Sequence, residues 1–438
     1  MATLATLYVN LTARTASFDS AMARTEKSMA RLSRRTTSIG RGITMGLSLP
    51  LLAMGYTAVK AAIDFESAWT GVEKTVDGTT AQLAALQSGI RDMAKTIPAS
   101  TTEIAKVAEA AGQLGIETGS ILKFSSTMID LGNTTNMSAD TAATALARLA
   151  NITQMPQDQF GRLGATVVDL GNNLATTEAE IVEMGLRLAG AGKQLGLQEH
   201  QILALAGALS SVGVEAQAGG AAISKSMINI ASAVDKGGRK LEIFSAVAGM
   251  TAAEFKQRFK TDAADATVAF IEGLKRLADS GRSVFPVLDA LGMGETRVRD
   301  ALLRASGAGD LFRRSLEIGS TAWAANTALV NEAEKRYATM ASRMKTLWQR
   351  AWDVAITLGQ ALMPVLNSAM SSVEKFVPHI ERLIKSFAEL SPRTQNVILA
   401  IAGIIVVVGP AIMVFGMLAT AVTALIPVFA LVAGAILT

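Results

Sequence analysis

The chain has 438 residues but no cysteine and only two histidines, His200 and His379. Without cysteine it has no disulfide framework, no thiol nucleophile and no cysteine-ligated zinc site. The two histidines lie far apart in sequence, and neither belongs to a recognisable catalytic motif. We interpret both as surface or core residues of helices, because a lone helical histidine seldom acts without a triad partner.

Aromatic residues (5%) and proline (9 residues) are also scarce, although half of the chain is hydrophobic. The apolar content is therefore mostly alanine, leucine, isoleucine, valine and methionine, and alanine and leucine are the best helix formers. Such apolar content excludes a globally disordered chain. The composition predicts a mainly α fold, and the length predicts about two to four domains.

Sequence motifs of the common enzyme classes are missing. The chain has no Walker A loop, no Gly-x-Gly-x-x-Gly turn after a strand and no Gly-x-Ser-x-Gly nucleophile elbow. Carboxylate pairs such as Asp262/Asp265 and Glu332/Glu334 are interpreted as solvated helix faces. We therefore expect no catalytic, cofactor-binding or metal site, and no enzymatic activity.

Basic residues are concentrated at the N-terminus. Residues 1–41 have a net charge of +5, whereas the whole chain has +4. The pattern predicts a short strand at Leu4–Leu11 and then a basic amphipathic helix. Such a segment either binds phosphate on nucleic acid or lipid, or is simply a solvated helix face. The basic patch comprises Arg24, Lys27, Arg31, Arg34, Arg35 and Arg41.

A first stretch without charge, Gly42–Val59, has 18 residues and contains Pro50. It begins too late for a signal peptide and is marginal in length for a membrane span. It predicts an apolar helix within residues 42–63. The pattern fits a buried or interfacial helix at least as well as a membrane-spanning helix.

A second and longer uncharged stretch, Thr394–Thr438, has 45 residues. It is long enough for two membrane crossings of about 20 residues each. We expect it to contact a membrane; the alternative is a helical hairpin buried inside an assembly. The chain stops inside this stretch, which predicts either a longer natural protein or a truncated form. Its marker residues are Val397, Ile401, Ile405, Gly409, Pro410 and Phe415.

Glycine turns separate short helical patterns between residues 64 and 319, and three of the predicted helices begin with a capping box. Two internal similarities occur in this region. Gln113–Gly132 resembles Gln194–Gly213, and Asp130–Asn133 resembles Asp169–Asn172. The second offset is about the length of a helical hairpin. We expect an irregular stack of hairpins. The capping boxes are Ser100/Glu103, Thr177/Glu180 and Thr251/Glu254.

The strongest periodic signal is a seam of apolar residues spaced by three and four from Val330 to Val365. This spacing predicts either a coiled coil or a long amphipathic helix packed within its own chain, and we weigh the two equally. Pro364 is expected to end or bend the helix, and a second amphipathic helix is expected at Val373–Leu390. The seam comprises Val330, Ala333, Tyr337, Met340, Met344, Leu347, Ala351, Val354, Leu358, Ala361 and Val365.

Several segments, taken in order, resemble the tail tape measure proteins of long-tailed bacteriophages and prophages. Each is weak alone, but their order along most of the chain makes the match specific. The resembling segments are Gly46–Glu66, Gly213–Ser224, Gly249–Phe255, Phe270–Leu274, Leu288–Gly292, Leu358–Asn367 and Leu390–Leu418.

Charge and apolar pattern divide the chain into five predicted parts. They are residues 1–41, 42–63, 64–319, 320–391 and 392–438.

The resemblance implies a structural protein without enzymatic activity, made in the host cytoplasm and housed in the virion tail lumen. It implies several copies (three or six) that set tail length, nucleate tail-tube polymerisation and leave at infection to help DNA cross the host inner membrane. The implied partners are further copies, the tail-tube protein, tail assembly chaperones, tail-tip proteins, the host inner membrane and phage DNA. The alternatives are a pore-forming or membrane-disrupting helical protein and a DNA-binding N-terminal module. Whether the core is globular or stretched inside the tube stays open.

Overall fold

The computed structural model describes residues 49–388. Within this range the chain forms seventeen α-helices and two short 3-10 helices, with no strand. The mainly α fold is therefore confirmed. The predicted N-terminal strand, the basic patch and the uncharged stretch from residue 394 onward lie outside the described residues.

The helices follow one another with short connections. The first nine are α1 (Leu49–Thr75), α2 (Thr80–Ala94), α3 (Thr101–Gln113), α4 (Ile121–Thr134), α5 (Ala139–Thr153), α6 (Phe160–Asn173), α7 (Glu178–Gln194), α8 (Glu199–Ser211) and α9 (Ala216–Lys236). The others are α10 (Gly238–Ala248), α11 (Ala252–Thr261), α12 (Ala263–Asp279), α13 (Phe285–Ala290), α14 (Thr296–Ser306), α15 (Gly309–Ala325), α16 (Ala328–Tyr337) and α17 (Met340–Ala388). The 3-10 helices are Thr118–Ser120 and Gln157–Gln159.

The described chain divides into two compact units. Ile63–Val354 forms the larger unit, and residues 49–62 and 355–388 belong to the other. Helices α1 and α17 therefore contribute residues to both units. The larger unit holds the glycine-punctuated core and the first part of α17.

The first half of the larger unit is a stack of helical hairpins in two layers. Helices α3, α5, α7 and α9 pack side by side in one layer, and α2, α4, α6 and α8 form the other. The chain then returns, because α15 packs on α6 and α8, and α16 packs on α4 and α6. The predicted irregular stack of hairpins is confirmed. Helices α15 and α16, which we call the returning arm, pack on α4, α6 and α8.

The internal similarity near residues 130 and 169 corresponds to two successive hairpins. The 3-10 helix, the first helix and the second helix of each hairpin begin at equivalent positions, and α4 with α5 matches α6 with α7. Gly132 and Gly171 occupy equivalent positions in the two hairpins. A Cβ at Gly132 would lie 2.7 Å from the Ala139 nitrogen, and one at Gly171 would lie 2.6 Å from Glu178 Oε1. Glycine therefore lets the second helix of each hairpin begin close to the first.

Backbone hydrogen bonds at the helix ends explain the other internal similarity. Gly115 and Gly196 both have positive φ angles, 79° and 75°. The next residues, Ile116 and Leu197, donate backbone hydrogen bonds to the carbonyls of Ala111 (3.0 Å) and Gly192 (2.9 Å) and bury their side chains. This helix-ending turn favours glycine because residues with a Cβ seldom adopt that backbone conformation.

The three capping boxes predicted from the sequence are confirmed at α3, α7 and α11. A fourth box at α2 was not predicted, because its third residue is glutamine rather than glutamate. There Thr79 accepts from the Gln82 amide, and the Gln82 side chain accepts from the Thr79 amide. These caps satisfy backbone donors that a helix start otherwise leaves unpaired.

Phenylalanines concentrate in the bundle formed by α10, α11 and α12. The Phe244 ring lies 5.0 Å from that of Phe270 in an edge-to-face arrangement and 6.4 Å from that of Phe255. All three side chains are fully buried. These three rings therefore form an aromatic core for this bundle.

Helix α1 does not end near residue 63 as the uncharged stretch suggested. It continues to Thr75 and includes Gly71, since a glycine inside a helix costs only about 1 kcal/mol relative to alanine. Among residues 49–388 no helix is both long and apolar enough to cross a membrane.

Candidate assembly surface on helix α17

The predicted apolar seam lies on two helices rather than one. Helix α16 ends at Tyr337, and α17 begins at Met340. Thr339 begins the new helix, since its hydroxyl accepts a hydrogen bond from the backbone amide of Ser342 at 3.3 Å. Residues 338 and 339 therefore interrupt the helix although the apolar spacing continues, and the two parts of the seam have different surroundings.

The α16 part of the seam faces its own chain. Ala333 is buried, and the Tyr337 hydroxyl donates to Asp130 Oδ1 at 2.5 Å while accepting from Asn133 Nδ2 at 3.3 Å. Burial raises the pKa of Asp130, and burial with the neighbouring carboxylate raises the pKa of Tyr337. Val330 is the exception and is exposed. This contact fastens α16 to α4.

The α17 part of the seam faces solvent. Met340 is 72% exposed, Leu347 60% and Val354 52%. Trp348, which lies outside the spacing of three and four, is 65% exposed beside them. An exposed apolar patch of this kind is typical of an interaction site. We call it the α17 apolar surface, and it comprises Met340, Met344, Leu347, Trp348, Ala351 and Val354.

The buried face of α17 within the larger unit is polar. Gln349 and Asp353 are buried, and Asp353 Oδ1 lies 2.6 Å from Arg91 Nε and Oδ2 lies 3.1 Å from Lys95 Nζ. Arg91 also donates to the Asp353 carbonyl at 3.2 Å. Lys95 donates hydrogen bonds to the carboxylates of Asp92 and Asp353, and these bonds raise the pKa of Lys95, with Asp92 the larger cause. Ion pairs of Asp353 therefore hold this part of α17 in place, and its apolar side faces solvent.

The charged residues flanking the α17 apolar surface are Arg343 and Arg350, and both are exposed. Lys345 is exposed on the side away from this surface, and no acidic residue occurs between Met340 and Trp352. Arg350 Nε donates to the Lys95 carbonyl at 3.0 Å. A partner must therefore cover apolar side chains without bringing more positive charge to this edge.

The remaining seam residues lie on the part of α17 that belongs to the second unit. There Leu358 is half-buried and Val365 is exposed. Within that unit a Cβ at Gly359 would overlap the Ala58 carbonyl oxygen, so glycine permits close approach of α1. Pro364 does not end the helix, which continues through it and Pro378 to Ala388, so the separate second helix expected from residue 373 is part of α17. Proline has a helical φ and removes one backbone donor, so a long helix tolerates it at a cost.

Asp262 and Asp265 do not form the solvated face that the sequence suggested. Asp262 caps α12 by accepting from the Asp265 amide at 3.0 Å, and it also accepts from Gln201 Nε2 at 3.1 Å. Asp265 pairs with Arg258 and Arg313, and the Arg258 guanidinium lowers its pKa most. The spacing of acidic residues along one helix could not predict these hydrogen-bonding and ion-pair partners, because the partners lie on other helices.

His200 is half-buried, with its ring 5.7 Å from the Trp323 ring, and burial lowers its pKa. Across the part of the chain that the structure describes, no group of histidine and carboxylate side chains is arranged to hold a metal. A groove of about 670 Å³ between α3 and α5 is lined by side chains of both charges, including Glu103, Lys106 and Asp140. It lies away from the α17 apolar surface and gathers no set of groups suited to chemistry.

Comparison with known proteins relates the sequence of this chain to proteins of phage tails. Residues 87–292, from α2 into the loop after α13, match the family model of phage-related minor tail proteins. A tape measure protein of Pneumococcus phage Dp-1 is 20% identical over 411 residues, which are 89% of this chain and 32% of the relative. A probable tape measure protein of Halomonas phage phiHAP-1 is 24% identical over 236 residues, 50% of this chain and 27% of the relative.

The resemblance to the phage tail tape measure family is confirmed. The chain spans about a third of the length of the first relative and about a quarter of the second. These relatives support a structural role in the phage tail. No solved structure matches the chain.

Proposed function

We propose that this chain acts as a tail tape measure protein, a structural component without enzymatic activity, in a long-tailed phage or prophage. In this proposal several copies occupy the tail lumen, scaffold polymerisation of the tail-tube protein and set tail length. The observation that carries it is the match of residues 87–292 to phage-related minor tail proteins, together with two tape measure relatives. Tail assembly chaperones and tail-tip proteins are proposed partners.

The α17 apolar surface is the proposed site of contact between copies. A helix that buries Gln349 and Asp353 and exposes methionine, leucine and tryptophan is oriented for a partner outside its own unit. Of the two predicted interpretations of the seam, this orientation supports the coiled coil between chains for residues 340–354. Residues 330–337 instead support packing within one chain.

Self-association can be tested by light scattering on the full chain. Met344→Asp combined with Val354→Asp places two carboxylates on the α17 apolar surface, and we expect it to reduce the oligomer to a monomer. The control, Lys193→Asp with Lys260→Asp, places two carboxylates at exposed positions on α7 and α11 and should leave the mass unchanged. An unchanged oligomer in the first variant would exclude this surface.

The ruler role can be tested by tail length in a phage that carries this chain. An in-frame duplication of α17, which has 49 residues, adds about 70 Å of helix at 1.5 Å per residue. We expect electron micrographs to show tails longer by about that distance than those of phage with the unaltered chain. Tails of unchanged length would contradict the ruler role of this segment.

Release at infection and help in DNA passage across the host inner membrane are also part of the proposal. They are supported by the family resemblance and by the uncharged stretch Thr394–Thr438, which lies outside the described residues. Phage particles mixed with vesicles of bacterial lipids and triggered to eject should leave the chain bound to the vesicles. Recovery of the chain only in the vesicle-free fraction would contradict this part.

A further inference from the structure

The positions on either side of the α17 apolar surface carry information about the direction of a partner helix. In heptad terms Met344 and Ala351 occupy one core column, and Met340, Leu347 and Val354 occupy the other. The position before each residue of the first column holds an arginine, at 343 and at 350. The position after Leu347 holds a tryptophan. One edge of the surface is therefore cationic, and the other is aromatic.

These two edges favour one direction of pairing. In a parallel pair, the residue just before a first-column position of one helix lies beside the residue just after a second-column position of the other helix. The second of these residues is five positions further along the chain. Arg343 then faces Trp348 of the second copy, and a guanidinium over an indole ring is attractive. In an antiparallel pair like edges meet, so arginines face arginines with no acidic residue from Met340 to Trp352 to neutralise them.

We propose that α17 pairs with α17 of a second copy in parallel and in register, with Arg343 of each copy beside Trp348 of the other. The proposal rests on the proposed self-association and specifies its geometry. The polar face of α17 is already occupied, since Asp353 is bound by Arg91 and Lys95. The second copy therefore covers the apolar side, where both edges are exposed.

Cysteine cross-linking measures the direction directly, because the full chain contains no other thiol. Met340→Cys and Val354→Cys place single thiols about 21 Å apart along the helix, whereas a disulfide needs Cα atoms within about 7 Å. In a parallel pair each variant should oxidise to a covalent dimer by itself. A mixture of the two variants, one carrying a size tag, should give little tagged–untagged dimer. Lys193→Cys, exposed on α7, should stay monomeric after oxidation.

The outcomes separate this proposal from the one on which it rests. Cross-linking found only in the mixture would show antiparallel pairing and overturn the parallel arrangement while self-association stands. An oligomer in light scattering without any cross-link at these positions would overturn the in-register pairing alone. A monomer under all conditions would overturn both.

Charge reversal at the edge gives an independent test of the arginine–tryptophan contact. Arg343→Glu should weaken association about two- to fivefold, the size expected when a cation–π contact is lost. Lys345→Glu makes the same charge change at a position facing away from both core columns and should have a smaller effect. Antiparallel pairing predicts the opposite sign, since the introduced carboxylate would meet an arginine of the other copy. Stronger association in Arg343→Glu would therefore overturn the proposal.

Discussion

The Tyr337 hydroxyl donates a 2.5 Å hydrogen bond to the Asp130 carboxylate, and the two residues are 207 positions apart in the chain. The bond joins α16 of the returning arm to α4 of the hairpin stack. Asn133, on the same helix as Asp130, donates to the same hydroxyl. Asp130 and Asn133 belong to the segment that is repeated at residues 169–172, so one copy of a repeated sequence feature is used to hold the arm.

Removing the hydroxyl should weaken this attachment. Tyr337→Phe keeps the ring but leaves the buried Asp130 carboxylate without its tyrosine donor, which typically costs about 1–3 kcal/mol. We expect urea unfolding followed by circular dichroism to show a lower free energy of unfolding. Tyr56→Phe, at an exposed tyrosine, is the control and should change stability little. Equal stability of the two variants would show that the Asp130 contact does not hold the arm.

The same carboxylate makes a pH-dependent contribution to stability. Burial raises the pKa of Asp130 above the ordinary value of 3.8, so folding favours its protonated form. That contribution is complete below the unfolded pKa and is lost as the pH rises through the folded pKa. Asp130→Asn keeps an acceptor for Tyr337 but cannot ionise. Its stability relative to the unaltered chain should therefore increase from acidic to neutral pH, measured by urea unfolding on both sides of the raised pKa. A difference independent of pH would contradict this assignment.

The ion pairs of Asp353 should matter more than those of an exposed carboxylate beside them. Asp353→Asn leaves Arg91, which is largely buried, facing a neutral amide, and we expect a loss of about 1–3 kcal/mol. Asp92→Asn removes a carboxylate that also pairs with Lys95 but is exposed, and should cost less than about 1 kcal/mol. Thermal unfolding of both variants checks the order. Equal losses would mean that the buried polar face does not fix α17.

Two helical glycines should respond in opposite directions to alanine. At Gly273 a Cβ would overlap the Val247 carbonyl oxygen, so Gly273→Ala must push α10 and α12 apart. We expect a loss of about 2 kcal/mol or more, as for overpacked cores. At Gly190 on α7 nothing lies within 4 Å of a Cβ. Gly190→Ala should stabilise the chain by about 0.5–1 kcal/mol, because alanine loses less conformational freedom in a helix. The sign of the shift in the melting temperature tests each prediction.

Local sequence predicted the positions of many helices and turns, because the interactions that begin and end a helix are local. Capping boxes, helix-ending glycines and apolar spacing act within a few residues, so helix starts such as Ser100 and turns such as Gly196 follow from neighbouring side chains. The spacing of the repeated Asp-Leu-Gly-Asn segment, about the length of one hairpin, likewise predicted helical hairpins. The order of the motifs also predicted the resemblance to tape measure proteins, and the matches to known proteins confirm that resemblance.

The seam shows where local sequence stops being sufficient. A spacing of three and four identifies an apolar side of a helix, but it does not say which surface covers that side. Ala333 and Tyr337 turn toward α4 and α6, whereas Met344 faces solvent, because Thr339 begins a new helix between them. The direction of α17 depends on Arg91 and Asp353, which are 262 positions apart. Pairs so distant are brought together only by packing of the whole unit, and that packing leaves the apolar side of α17 outward.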